Sequence, residues 1–119
     1  MDKIINYKKL IKHYKKPDQS QWYGRIDSTD NYDAFRWHQW IQPLDLTSFT
    51  PLSKNEVHVA LLGFASDEGV RRNQGRTGAA KGPSSIRKEL RNLPCSFTQS
   101  LKLYDAGDIF CENCGNKLI

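Results

Sequence analysis

The stretch GFASDEGVRRNQGRTGAAKGPSSIRKEL, residues 63–90, decides how this chain is read. It begins on the end of an apolar run, VHVALLGFA at residues 57–65, and finishes in a segment with helical periodicity. A short run of β-branched and aliphatic residues suits a strand buried on both faces, as in a parallel sheet. Gly82 followed by Pro83 is a good helix entrance: proline's fixed φ suits the first turn, where its missing N–H is not needed. Ile86, Leu90 and Leu93 recur at i, i+4 and i+7 as one apolar stripe, and Pro94 ends the helix. LKLYD at residues 101–105 offers a second short strand. Strand, loop, helix and strand make a βαβ unit, with parallel strands and a right-handed crossover.

The loop of that unit, residues 67–81, is about 15 residues long, where such loops commonly run to only a few. It holds Gly69, Gly75 and Gly78, the arginines Arg71, Arg72 and Arg76, and the acidic pair Asp67 and Glu68. Glycine allows tight turns and close backbone approach. The arginines could clamp a carboxylate bidentately, and the loop runs into a helix N-terminus, whose N–H groups suit an anion. Loops leaving the carboxyl ends of strands line the crevice of an open parallel sheet. The physics points to a small acidic ligand or, equally, to an interface loop. Neither G-x-G-x-x-G nor G-x-x-x-x-G-K-[ST] fits, and there is no G-x-S-x-G elbow.

Composition bounds the rest. The formal charge is +5, but residues 1–16, with six lysines and one acid, carry the whole excess. A phosphate backbone needs a basic surface that persists over the contact face, so no nucleic-acid partner is expected. No apolar run is long enough to span a membrane, and no signal segment is visible, so the expected location is cytoplasmic. Three cysteines suit a reduced compartment; Cys111 and Cys114 form a C-x-x-C pair whose second half is missing. Ile4, Tyr7, Ile11 and Tyr14 fall at helical spacing and predict a short amphipathic helix over residues 3–15, stopped by Pro17 and Asp18. Residues 19–50 hold all three tryptophans with Tyr23, Tyr32, Phe35 and Phe49, and read as an irregular arm whose rings pack on a larger body. His58 reads as a hydrogen-bonded structural histidine. Residues 1–50 are thus a basic helix and aromatic arm, and residues 51–119 a βαβ portion.

The run LLGFASDEGVRRNQGRTGAAKGPSSIRKEL closely resembles the first strand, loop and helix of the ureohydrolase superfamily, which includes arginase and agmatinase. The matching positions are Gly63, Asp67, Gly69, Arg76, Gly78, Ala79, Gly82, Pro83, Ile86 and Arg87. LYDAGDI resembles the family's second strand. The run D-E-G-V-R-R-N-x-G-R-x-G-A looks like the formimidoylglutamase branch, and WYGRIDS with FRWHQWI is similar to that branch's N-terminal arm, W-x-G-R-x-D then R-x-H-Q. The resemblance implies an α/β chain, the N-terminal part of a three-layer αβα arginase-like fold with a parallel sheet. It implies a hydrolase that converts N-formimidoyl-L-glutamate to glutamate and formamide in histidine degradation, with two manganese ions; a homo-oligomer is compatible with it.

The family's metal-ligand stretches, G-G-x-H, D-x-H-x-D and S-x-D-x-D, do not occur here, so no metal is expected to bind this chain and no catalytic residue is assigned to it. Alone it is expected to be inactive, and its tail, FCENCGNKLI, looks like a truncation. The alternative is a non-catalytic remnant that binds a partner through an uncovered sheet edge. The substrate-side loop candidates are Arg72, Asn73 and Arg76, for loop shape or carboxylate contact, and Asp67, for bracing the loop through backbone N–H groups. Arg76 or Arg87 could instead form structural ion pairs with Glu68 or Glu89. Gly69, Gly75, Gly78, Gly82 and Pro83 are read as setting the loop's conformation.

Overall fold

The computed structural model describes residues 11–67 and 78–111. Its elements are β1 (Tyr14–Lys15), a 3-10 turn at Gln19–Gln21, a second at Tyr32–Ala34, α1 (Trp37–Trp40), β2 (Gln42–Pro43), β3 (Val57–Ser66), a 3-10 turn at Ala79–Lys81, α2 (Gly82–Leu90) and β4 (Leu101–Cys111). The two long strands pair in parallel, Val57 opposite Leu101 and Ser66 opposite Cys111. On the other edge of β4, β2 pairs in parallel at Tyr104 and Asp105, and β1 pairs antiparallel at Asp108 and Ile109. The sheet is therefore mixed, and β4 is its spine.

The arm's aromatics build the core. Trp22, Ile41 and Leu103 are buried together, with Trp37, Trp40, Leu61, Leu90, Phe97 and Leu101 packed around them. Polar ends are satisfied where rings are buried: Trp40 Nε1 donates to Leu101 O at 2.8 Å and Tyr32 OH to Phe97 O at 2.6 Å. His58 has the structural role its context predicts. Its Nε2 donates to Ser53 O at 2.6 Å, which leaves Nδ1 to accept from Tyr104 OH at 3.0 Å.

Four expectations need correction. Tyr14 and Lys15 are strand, not helix, because the Tyr14 hydroxyl donates to Ala106 O and accepts from Leu46 N–H, tying the chain to β4; residues 3–10 lie outside the described residues. The second strand runs on from Asp105 to Cys111, held by β3 along one edge. α2 ends at Leu90, and Pro94 instead makes a bridge with Arg36. Neither β3 nor the helix stripe is fully buried: Val57, Leu62, Phe64 and Ile86 are each more than half exposed. The one buried residue of α2 is Arg87.

The register of the long pair slips between Leu61, opposite Asp105, and Gly63, opposite Asp108, so β4 carries one extra residue there. Gly107 sits in this bulge at φ 88°. In a regular strand residues three apart point to opposite faces. The extra residue re-aims them, and Asp105 and Asp108 both reach Arg87.

Candidate functional site

The site is built where β3 ends. Asp67 follows its last residue, and its Oδ1 accepts from the N–H of Gly78 at 2.8 Å and of Ala80 at 2.9 Å. One carboxylate oxygen thus ties the strand's exit to the turn that starts α2, closing the two ends of the loop together. Gly78 has φ 131°, a conformation that favours glycine. Gly82 is ordinary helix at φ −55° with nothing near its Cβ position, so nothing among the described residues requires glycine there. Pro83 stands in the first turn of α2. Gly69, Arg72, Asn73, Gly75 and Arg76 lie outside the described residues.

Beneath the loop's base lies a buried charge cluster that the sequence reading missed. Arg87 Nη2 contacts Asp105 Oδ1 at 3.0 Å, Asp108 Oδ1 at 2.8 Å and Gly107 O at 2.9 Å. Asp105 has no exposed surface. Its Oδ1 also accepts from Gly107 N–H and its Oδ2 from Trp22 Nε1. Burial by itself lowers the affinity of Arg87 for its proton, but the ion-pair contact with Asp108 and the charge of Asp105 outweigh it and hold the guanidinium above its usual value. A side chain at Gly63 would collide with Asp108 Oδ1 and with Pro83, so glycine lets β3, α2 and β4 meet here. Arg87 pairs with Asp105 and Asp108, not with Glu89 as one reading allowed; Glu68 lies outside the described residues. The available signal was Asp-x-Gly-Asp at residues 105–108, a strand interrupted by a glycine able to bulge.

The arm motifs serve as a staple. Arg36 binds Asp27 through Nε at 3.1 Å and Nη2 at 2.9 Å, and Arg25 binds the same carboxylate at 2.9 Å. His38 Nε2 donates to Arg25 O, and Gln39 links the Arg36 N–H to Ser28 O. Arg25 N–H and Arg36 Nη1 then hold Asn92, just past α2. The hydrogen bond from Arg36, with help from Arg25, holds the Asp27 carboxyl below its usual range. A depressed folded-state value means the contribution is present above the ordinary carboxylate pKa and lost as pH falls through the folded one. Asp27→Asn is therefore expected to flatten the fall in urea midpoint below about pH 4, measured from pH 5 to pH 2.5.

Among the described residues no group of three or more His, Cys, Asp and Glu side chains is arranged to hold a metal ion, and none of their helices is long and apolar enough to cross a membrane.

The model of the arginase family matches residues 57–118, just over half of the chain. The chain belongs to the arginase family. It is similar to the formimidoylglutamase of Clostridium tetani, 53% identical over 106 residues, and to those of Geobacillus sp. strain WCH70 at 48% and Lysinibacillus sphaericus at 45%. These matches cover 83–85% of this chain. The chain spans about 30% of the length of each of these curated relatives. No solved structure matches. The α/β architecture, with its parallel β3–α2–β4 unit, agrees with the arginase-family match.

Proposed function

We propose that this arginase-family chain is the substrate-loop portion of a hydrolase acting on N-formimidoyl-L-glutamate, releasing glutamate and formamide. The Asp67 clamp carries this reading: it ties Gly78 and Ala80 to the end of β3, on either side of the sequence that bears Arg72, Asn73 and Arg76. The names of the relatives support the substrate. In this reading Arg72 and Arg76 grip the two carboxylates of the glutamate moiety, where a guanidinium fork is the suited partner. Asn73 offers an amide to the same end, and Asp67 positions all three. Residues 1–50 act as the arm that braces this unit.

The two manganese ions that the resemblance implies do not fit the described residues. Buried Asp105 and part-exposed Asp108, close together in the described residues, are already paired with Arg87, and a cation there would face a guanidinium. No step is assigned to a metal on this chain; its part is to bind and orient the substrate.

The test is co-expression of this chain with the remaining length of the Clostridium tetani relative, assayed for formamide release with manganese supplied. Hydrolysis is expected from the complex and from neither part alone. Asp67→Ala should lower kcat/KM by about 10–100-fold, chiefly through KM, since a loop displaced by about 1 Å costs on that order. Asp67→Asn, which keeps one acceptor oxygen, should recover part of it. A complex that forms yet releases no formamide, or an Asp67→Ala complex with unchanged KM, overturns the reading.

A further inference from the structure

We infer that Trp22 is a positioning residue for the loop that leaves β3: its indole N–H, acting through Asp105 and Arg87, sets where α2 begins and so where Gly78 and Ala80 meet Asp67. Its effect on substrate binding rests on the substrate reading of that loop; its effect on the loop's base does not.

The Ala79–Lys81 turn runs straight into α2 at Gly82, so whatever fixes α2 also fixes the two N–H groups that donate to Asp67. The helix is not fixed by its apolar stripe, since Ile86 is 60% exposed. It is pinned at Pro83, which rests on Gly63, at Leu90, which packs on the core cluster, and at Arg87, its one buried residue. Arg87 holds Asp105, Gly107 and Asp108 through a single nitrogen, Nη2. The pin therefore depends on how the Asp105 carboxylate is turned.

Trp22 fixes that orientation. Arg87 Nη2 and Gly107 N–H both donate to Oδ1, while Trp22 Nε1 donates to Oδ2 at 2.8 Å. Asp105 has no exposed surface, so without the indole N–H its Oδ2 is a buried, charged acceptor that has lost its partner. A claimant is at hand: Arg87 Nε and Nη1 are buried and, among the described residues, have no hydrogen-bond partner. A guanidinium grips a carboxylate best with two parallel bonds, and a freed Asp105 would turn to make that fork, carrying Arg87 and α2 with it. The indole holds the pair to a single bond. Two other ring donors of the arm have no such reach: Trp40 Nε1 donates to Leu101 O at the start of β4, and Tyr32 OH to Phe97 O before it.

The experiment uses a single chain that joins residues 1–119 to the remaining length of the Clostridium tetani relative. Trp22→Phe keeps most of the ring's bulk and removes the donor. Amide exchange at Gly78 and Ala80 should quicken by about tenfold, and KM for N-formimidoyl-L-glutamate should rise by about 3–10-fold with kcat within about twofold. Trp40→Phe is the matched control, deleting the same group from the same arm. It should lower the urea midpoint yet leave KM and the two amides unchanged. Asp105→Asn breaks the Trp22 bond from the acceptor's side, because two donors hold Oδ1 and the amide nitrogen is left facing the indole. It should quicken the same two amides, and combining it with Trp22→Phe should add little. If neither variant folds, the unaltered chain decides: in mild urea Gly78 and Ala80 must open together with the Trp22 indole N–H, and a different urea dependence overturns the inference. So does a Trp22→Phe chain with unchanged amides, or a Trp40→Phe chain that moves KM and the amides equally. Should Asp67→Ala leave KM unchanged, the substrate reading falls, and the amides alone judge Trp22.

Discussion

Asp105→Ala is expected to cost about 3–5 kcal/mol, the range for breaking one side of a buried ion pair. Three donors lose their acceptor at once: Trp22 Nε1, Gly107 N–H and one of the contacts of Arg87 Nη2. The arm, the helix and the bulge are therefore loosened together. A small protein loses roughly 1–3 kcal/mol of stability per molar urea, so the midpoint should fall by about 1–5 M. Arg87→Met should cost less. It leaves Asp105 with Trp22 Nε1 and Gly107 N–H as partners, and Asp108 partly exposed to water. Equal costs, or a larger one for Arg87→Met, would show that the guanidinium and not the carboxylate is the centre of the cluster.

Gly107→Ala is the second large effect, and its cause is geometric. At φ 88° an alanine is strained, by about 1–2 kcal/mol. Its Cβ would also run into backbone atoms of Lys15, Lys16 and Pro17. Backbone cannot swing aside as a side-chain tip can, and overpacking of this kind adds about 1–3 kcal/mol. The total, about 2–5 kcal/mol, should appear as a lower urea midpoint and as loss of protection at the amides of residues 14–15. Gly82→Ala is the matched control: the same chemical change in a helix with open space should stabilise by about 0.5–1 kcal/mol. If both substitutions behave alike, the bulge does not need its glycine.

The parts of the fold legible in the sequence were those written locally. The apolar run of β3, the Gly-Pro entrance of α2 and the aromatic content of the arm each follow from neighbours in the chain. What escaped was written at long range. Tyr14 stood at helical spacing with Ile11, but its hydroxyl is claimed by Ala106, ninety-two residues on. Asp105 and Gly107 looked like the end of a strand, since both residue types punctuate turns. They continue it because β3 supplies a ladder across the slip. Arg87 read as a possible ion-pair partner of Glu68 or Glu89; only the bulge brings Asp105 and Asp108 to it. At the candidate site, Asp67 was legible as a short acid at the mouth of a glycine-rich loop. The staple of Arg25, Asp27, Arg36 and His38 was visible as a motif but not as a contact network.

The position of β4 as the spine also sets a timetable. Among the described residues every strand pairs with β4 and with no other, and the buried Trp22 closes on Asp105, eighty-three residues later. On the ribosome, nothing of the sheet can assemble until residues 101–111 have left the exit tunnel. At about 5–20 residues per second, Trp22 and its aromatic neighbours wait in the open for roughly 5–20 s. The nascent arm is thus the natural client of a holding chaperone, and slowing translation between codons 50 and 100 would lengthen the interval in which its rings can find the wrong partner.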